Sequence, residues 1–160
     1  MSAHPVGVNQ AAKGAAQNQS IEARQNPDDR AGVLLYEALH GAPLLVLVSI
    51  QNSNALAAMI PKSKVFAVSI LADDQEAVSN AFSKSGREPG ATLGADVPTL
   101  AWHTGSPIVA GAIAHLDCHL ETAIPGGDHT IVVGRVVGAS FDTAKEPLIY
   151  FRRRYRKLAE

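Results

Sequence analysis

Residues 105–136 read GSPIVAGAIAHLDCHLETAIPGGDHTIVVGRV, and the alternation in this stretch decides the fold. Ala112, Ala114, Leu116, Cys118 and Leu120 fall on one face of an extended chain. Ile113, His115, Asp117, His119 and Glu121 fall on the other, the period-two pattern of a strand with one wet side. Gly126 and Gly127 accept left-handed backbone without a Cβ penalty, so the chain can reverse there. Thr130 to Val137 is again apolar and β-branched, which predicts an antiparallel hairpin with a loop slightly longer than two residues.

Asp128 and His129 emerge where that second strand begins. An imidazole at a strand mouth can meet a ligand and exchange a proton near neutral pH, or it can simply cap a turn, and this stretch alone leaves both open. His115, Asp117 and His119 share the i, i+2, i+4 spacing that can bind a metal on a strand. Exposed strand faces are ordinarily polar, however, and no fourth ligand is evident, so no metal site is assigned.

Upstream, Pro43 to Ile50 (PLLVLVSI) is an unbroken apolar run, too short for a stable isolated helix and suited to a strand buried on both sides. Gln51-Asn52-Ser53-Asn54 follow it and can cap a helix over Ala55 to Ile60, whose first-turn amides suit an anion. Lys64 to Leu71 predicts a second strand, covered on both faces. Asp73-Asp74-Gln75-Glu76 places acids at the start of a helix running to about Ser83, where the dipole favours them, with Ala77, Ala81 and Phe82 inward. Lys84 to Thr104, with three glycines and two prolines, reads as a long loop of the kind used as a lid or binding loop. Pro147 to Phe151 is a last strand. The basic run Arg152 to Lys157 after it is expected to be a solvated end, or to contact a phosphate or an acidic partner.

Before Pro43 the pattern weakens. Residues 1–31 are rich in Ala, Gln, Asn and Gly, bury too little to offset ordering entropy, and are expected to be flexible or ordered only by lying on a partner subunit. Gly32 to His40 suggests a short helix with Leu34, Leu35, Ala38 and Leu39 on one face. The organisation is therefore a flexible segment, 1–31, and one domain, 32–160.

The totals narrow the function. Lys and Arg number 14 against 15 Asp and Glu, a formal charge of -1, which supplies no global attraction to nucleic acid or anionic membrane. The single Cys118 forms no internal disulfide, so a reducing, cytoplasmic setting is expected. No apolar run approaches the roughly 20 residues of a membrane span. Short strands with mainly antiparallel connections and two short helices predict a small mainly-β barrel with α inserts. There is no GxGxxG, no GxxxxGK[ST] and no Gly-x-Ser-x-Gly elbow.

The order of PLLVLVSI, KVFAVSIL, a helix ending AFS, the stretch 105–136 and PLIYFRRRY resembles the flavin reductase-like family of FMN-binding split barrels, from about Ala42 to Tyr155. Its most specific part is SPIVAGAIAHLDC paired with PGGDHTIVVGRV. The resemblance implies a homodimer with a six-stranded antiparallel Greek-key barrel and the flavin near the subunit interface. It implies FMN or FAD as cofactor, NADH or NADPH as hydride donor, and a flavin-dependent monooxygenase as the recipient of reduced flavin. By the same resemblance Gln51, Asn52, Ser53 and Asn54 contact the ribityl and phosphate groups, Phe82 and Ser83 approach the flavin, and Asp128 and His129 form the Gly-Asp-His motif. His129 then orients nicotinamide or flavin and is the candidate catalytic residue, while hydride transfer belongs to the cofactors.

Residues 1–41 do not share the resemblance. Where family members place a Thr-Ala-Ser-Ser-Phe-like segment toward the flavin, this chain has Ala31-Gly32-Val33-Leu34-Leu35, without a hydroxyl. That departure implies weaker flavin affinity and an open barrel edge. It keeps alive two other readings, a flavin-binding or vestigial split-barrel module without turnover, and a structural protein that binds a partner through its basic tail.

Overall fold

The computed structural model describes residues 6–10, 31–36, 43–83 and 97–158, the first two segments by their backbone alone. Its main sheet has six strands in the order β1-β4-β7-β8-β3-β2: Val6–Gln10 (β1), Ala31–Tyr36 (β2), Leu45–Gln51 (β3), Val65–Ile70 (β4), Ala114–Gly126 (β7) and His129–Phe141 (β8). Five neighbouring pairs carry this order, and four are antiparallel; β1 against β4 is parallel. The expected mainly-β fold with two helices is therefore found, with one parallel edge that a purely antiparallel expectation did not include.

Alternation places the core. In β3, Val46, Val48 and Ile50 are fully buried, and they pack with Ile60, Phe66, Val68, Cys118 and Val132 under α1 (Ala55–Ser63). Burying each such side chain contributes roughly 1.5–3 kcal/mol. α1 begins where Asn54 accepts the Leu56 N–H at 3.0 Å and ends at Lys64, whose φ of 62° is left-handed. Gly134 is required in β8 because the Phe66 ring lies directly against it, in the volume a Cβ would fill.

A second cluster joins Leu71, Val97, Val109, Ala112 and Leu148, with Val78, Ala81 and Phe82 of α2 (Glu76–Ser83) and Tyr155 packed on it. Two short hairpins adjoin it: β5 (Thr99–Ala101) with β6 (Pro107–Val109), and β9 (Ile149–Phe151) with β10 (Arg154–Arg156). Among the described residues, no helix is long and apolar enough to cross a membrane.

Several expectations are corrected. Gly32 to Tyr36 lies in β2, not a helix, because Val33, Leu34 and Leu35 pair along the apolar edge of β3; His40 lies outside the described residues. Within the segment expected to be flexible, Val6–Gln10 pairs with β4, a backbone interaction that needs no large side chain. The β pattern from Ser106 is broken at Gly111, where φ is 79°, into β6 and β7. Between Gly126 and His129 the loop is two residues, Gly127 and Asp128, with Gly127 at φ 70° as a hairpin with glycine in its first turn position requires. In α2 it is Val78, not Ala77, that faces the core. Of the predicted long loop, residues 84–96 lie outside the described residues, and Thr99–Ala101 is strand. The basic tail is solvated, as expected, with Arg152, Arg153, Arg154, Arg156 and Lys157 exposed, and Arg154–Arg156 also pairs back on Ile149–Phe151.

Candidate functional site

Register brings the polar turn to the hairpin tip. β3 and β8 pair antiparallel from Leu45↔Arg135 to Gln51↔His129, so the end of β3 delivers Asn52 beside Gly127 and Asp128. Asn52 then ties the two loops together: its N–H donates to Asp128 O at 2.9 Å and its Nδ2 to Gly127 O at 3.2 Å. Its Oδ1 accepts from Thr130 Oγ1 at 2.8 Å. Thr130, absent from the predicted site, is the third member of this corner; its position next to His129 was the available signal.

His129 stands on this corner with its side chain 24% exposed, while Asp128 is far more open. Its Nδ1 lies 2.8 Å from Asp128 Oδ1. A carboxylate on Nδ1 makes that nitrogen the donor and leaves Nε2 as the nitrogen facing a ligand.

The polar turn spends most of its donors on its own shape. Asn54 N–H donates to Gln51 O at 2.8 Å, and the Asn54 carboxamide caps α1. Ser53 is exposed, and its hydroxyl makes no hydrogen bond among the described residues. α1 has no acidic residue in its first turn, so its N-terminal dipole is uncompensated on the side where Ser53 sits. The residues that fit an anionic, planar cofactor here are thus Ser53, the first turn of α1 and His129, with Asn52 as the brace.

Phe82 and Ser83 lie elsewhere. Ile70 pairs with Ala114 at the start of β7, whereas Gly126 at its far end pairs with His129. α2 follows Ile70, so within one subunit Phe82 and Ser83 sit at the opposite end of the sheet from the hairpin tip. Phe82 packs on the second core cluster, and Ser83 Oγ donates to Asn80 O at 3.1 Å.

The predicted wet face of β7 is not wet at its centre. Asp117 is fully buried and accepts from Thr104 N at 2.8 Å and from Thr104 Oγ1. Those bonds fold the segment after β5 onto the sheet, and the His103 ring covers Gly138. His115, read as a possible ligand, lies with Nε2 2.7 Å from Val109 O and Nδ1 3.1 Å from Ser140 Oγ. Its ring nitrogens are thereby occupied in holding β6 and β8. Among the described residues no group of three His, Cys, Asp or Glu side chains is arranged to hold a metal. Beside Asp117, burial first and the Asp117 charge second push the Cys118 thiol up to about 12.

Comparison with known proteins gives a consistent picture. The family described as "Flavin reductase like domain" matches residues 38–159. An NADH-dependent flavin reductase from a Rhodococcus species is 37% identical over 116 residues, 72% of this chain; the chain spans only 62% of that relative's length. The reductase component of 4-hydroxyphenylacetate 3-monooxygenase from Thermus thermophilus is 33% identical over 139 residues, covering 86% of this chain and 85% of the relative. Among solved structures, the NADH:FAD oxidoreductase of Streptomyces globisporus superposes with a TM-score of 0.69 at 32% identity, over 74% of this chain and 70% of that one.

Proposed function

The chain belongs to the flavin reductase-like family, and from that premise we propose that it is an NAD(P)H-dependent flavin reductase acting on FMN or FAD. The observation that carries this reading is the Asn52-braced corner, which fixes His129 with one nitrogen on Asp128 and the other open. Relatives that bear the names of NADH-dependent flavin reductase and monooxygenase reductase component support it, together with a partner oxygenase that receives the reduced flavin.

When bound, flavin and nicotinamide supply the hydride chemistry between themselves. The chain's own work is placement. His129 Nε2 offers a hydrogen-bonding atom to a ring at the hairpin tip, Asp128 fixes the imidazole's orientation, and Asn52 keeps the tip in register with β3. Ser53 and the first turn of α1 meet phosphate or ribityl oxygens.

We propose a homodimer. Only a second copy can add Phe82 and Ser83 to a flavin held at the hairpin tip. β4 pairs with β7 only to His119, and β3 with β8 only to Arg135. Both long strands therefore run on with one edge unpaired among the described residues. Ile124 is exposed on the β7 extension, and Val137 and Phe141 on the β8 extension at the other end of the ribbon, and exposed apolar side chains beside open edges are what a second copy would cover. The single buried Cys118 suits a reducing, cytoplasmic setting.

NADH and FMN mixed with the purified chain test the activity, with the nicotinamide absorbance followed in time. Consumption well above the free-flavin background is expected; none would sink the reading. The flavin-binding module without turnover stays as second reading because of the hydroxyl-free Ala31 to Leu35 in β2. Tight FMN binding with no NADH consumption is its signature.

A further inference from the structure

We infer that the outer face of the β9–β10 hairpin is a binding platform for an adenosine phosphate group, the part that FAD shares with NADH and NADPH. This rests on the reading of the chain as a flavin reductase homodimer, because within one subunit the hairpin lies at the opposite end of the sheet from His129, so the platform serves the site of the other copy. Register gives the hairpin two unlike faces: Arg154 pairs with Phe151, and Tyr155 with Tyr150. Tyr150 and Tyr155 form an edge-to-face pair with centroids 5.0 Å apart, and Tyr155 packs on the second core cluster. The Tyr155 hydroxyl reaches Ser79 Oγ at 2.9 Å and Asn80 Oδ1 at 3.1 Å, which pins the hairpin against α2.

The other face is therefore held outward. It presents Phe151, 51% exposed, directly opposite Arg154, with Arg156 two residues along the strand. The Arg152 guanidinium lies 5.2 Å from the Phe151 ring centroid. Lys157 is neutralised by Asp73 at 3.0 Å, whereas none of the four arginines has a carboxylate partner among the described residues. An exposed ring between unpaired guanidiniums offers stacking for a base and bidentate donors for a phosphate, the two halves of a nucleotide. An acidic protein surface would use the charges but not the ring.

The turn is also kept at a cost. Arg152 and Arg153 both have left-handed backbone, φ 52° and 62°, where glycine or asparagine is the ordinary choice. Strain held at a charged, exposed turn points toward use of those side chains.

Titration of the full chain with ADP, which cannot be reduced, tests the platform without turnover. Wild type is expected to bind ADP, and Arg154→Ala and Arg156→Ala each to weaken it about tenfold, the loss of one charged hydrogen bond. FMN binding should stay unchanged in both. Phe151→Leu, which keeps the bulk but not the ring, is expected to weaken ADP less. ADP competition against NADH with FMN as acceptor identifies the donor as the natural occupant; competition against FAD alone identifies the flavin. No ADP binding by wild type, equal binding by the Arg variants, or competition with neither dinucleotide would overturn the proposal. ADP binding in a chain that never oxidises NADH would uphold the platform while sinking the reductase reading.

Discussion

The backbone N–H of Asn52 donates to the carbonyl of Asp128 across 2.9 Å, so the turn after β3 and the tip of the β7–β8 hairpin are one structural unit. The Asn52 carboxamide adds two more bonds, to Gly127 O and from Thr130 Oγ1. Asn52→Ala removes those two but keeps the backbone bond. At an exposed corner the stability loss should be small, about 1 kcal/mol in urea unfolding. The activity loss should be larger in proportion, because the hairpin tip loses its register with β3 and with it the placement of His129. A variant with full activity and a large stability loss would assign Asn52 to folding alone.

Cys118 is fully buried and its thiol is pushed from an ordinary 9.0 up to about 12. The thiolate is the reactive form, so iodoacetamide at pH 8 should leave the folded chain unlabelled and label it fully once unfolded. A folded pKa above the unfolded one means the folded state holds the proton more tightly, so this contribution is intact below about pH 9 and is lost as pH rises toward 12. Cys118→Ala should remove that alkaline slope from the stability curve.

Gly134 faces the Phe66 ring, and Cys118 Cβ lies 3.1 Å from where its own Cβ would stand. Gly134→Ala must displace the ring inside a filled core, an overpacking that costs typically 1–3 kcal/mol. Gly134→Ala with Phe66→Leu should recover part of the loss. Urea midpoints of the three chains check this; additive losses would mean that the two positions do not share the space.

Arg153 has φ 62° in the β9–β10 turn. Arg153→Gly relieves a left-handed position that costs an L-residue roughly 1–2 kcal/mol, offset in part by glycine's greater freedom when unfolded. A rise of up to about 1 kcal/mol in unfolding free energy is expected, and a decrease would show that the Arg153 side chain contributes more than its backbone costs.

Much of the fold was legible because burial and alternation coincide. Val46, Val48 and Ile50 are apolar at period two and are the residues that β3 buries, and Gly126-Gly127 marks the one tight reversal between two long strands. The reading failed where long-range partners decide. Asp117 looks like a solvent-facing acid until Thr104, 13 residues earlier, folds over to donate two hydrogen bonds. Val33 to Leu35 suits a helix face as well as a strand, and only the edge of β3 chooses between them. His129, Asp128 and Asn52 meet at one corner, which their separate places in the chain do not display. The hydrogen bonds that occupy the Asn54 N–H and Oδ1, and the separation of Phe82 from the hairpin tip, depend on partners and register that periodicity does not specify.

The role of His129 is read from His129→Ala as a split between two quantities, kcat/KM for NADH in FMN reduction and the Kd for FMN from titration. In the variant kcat/KM for NADH should fall at least about tenfold while FMN binds within about twofold of wild type, with a larger loss if the imidazole also moves a proton. Unchanged NADH kinetics, or a loss of FMN binding that matches the loss of rate, would contradict it.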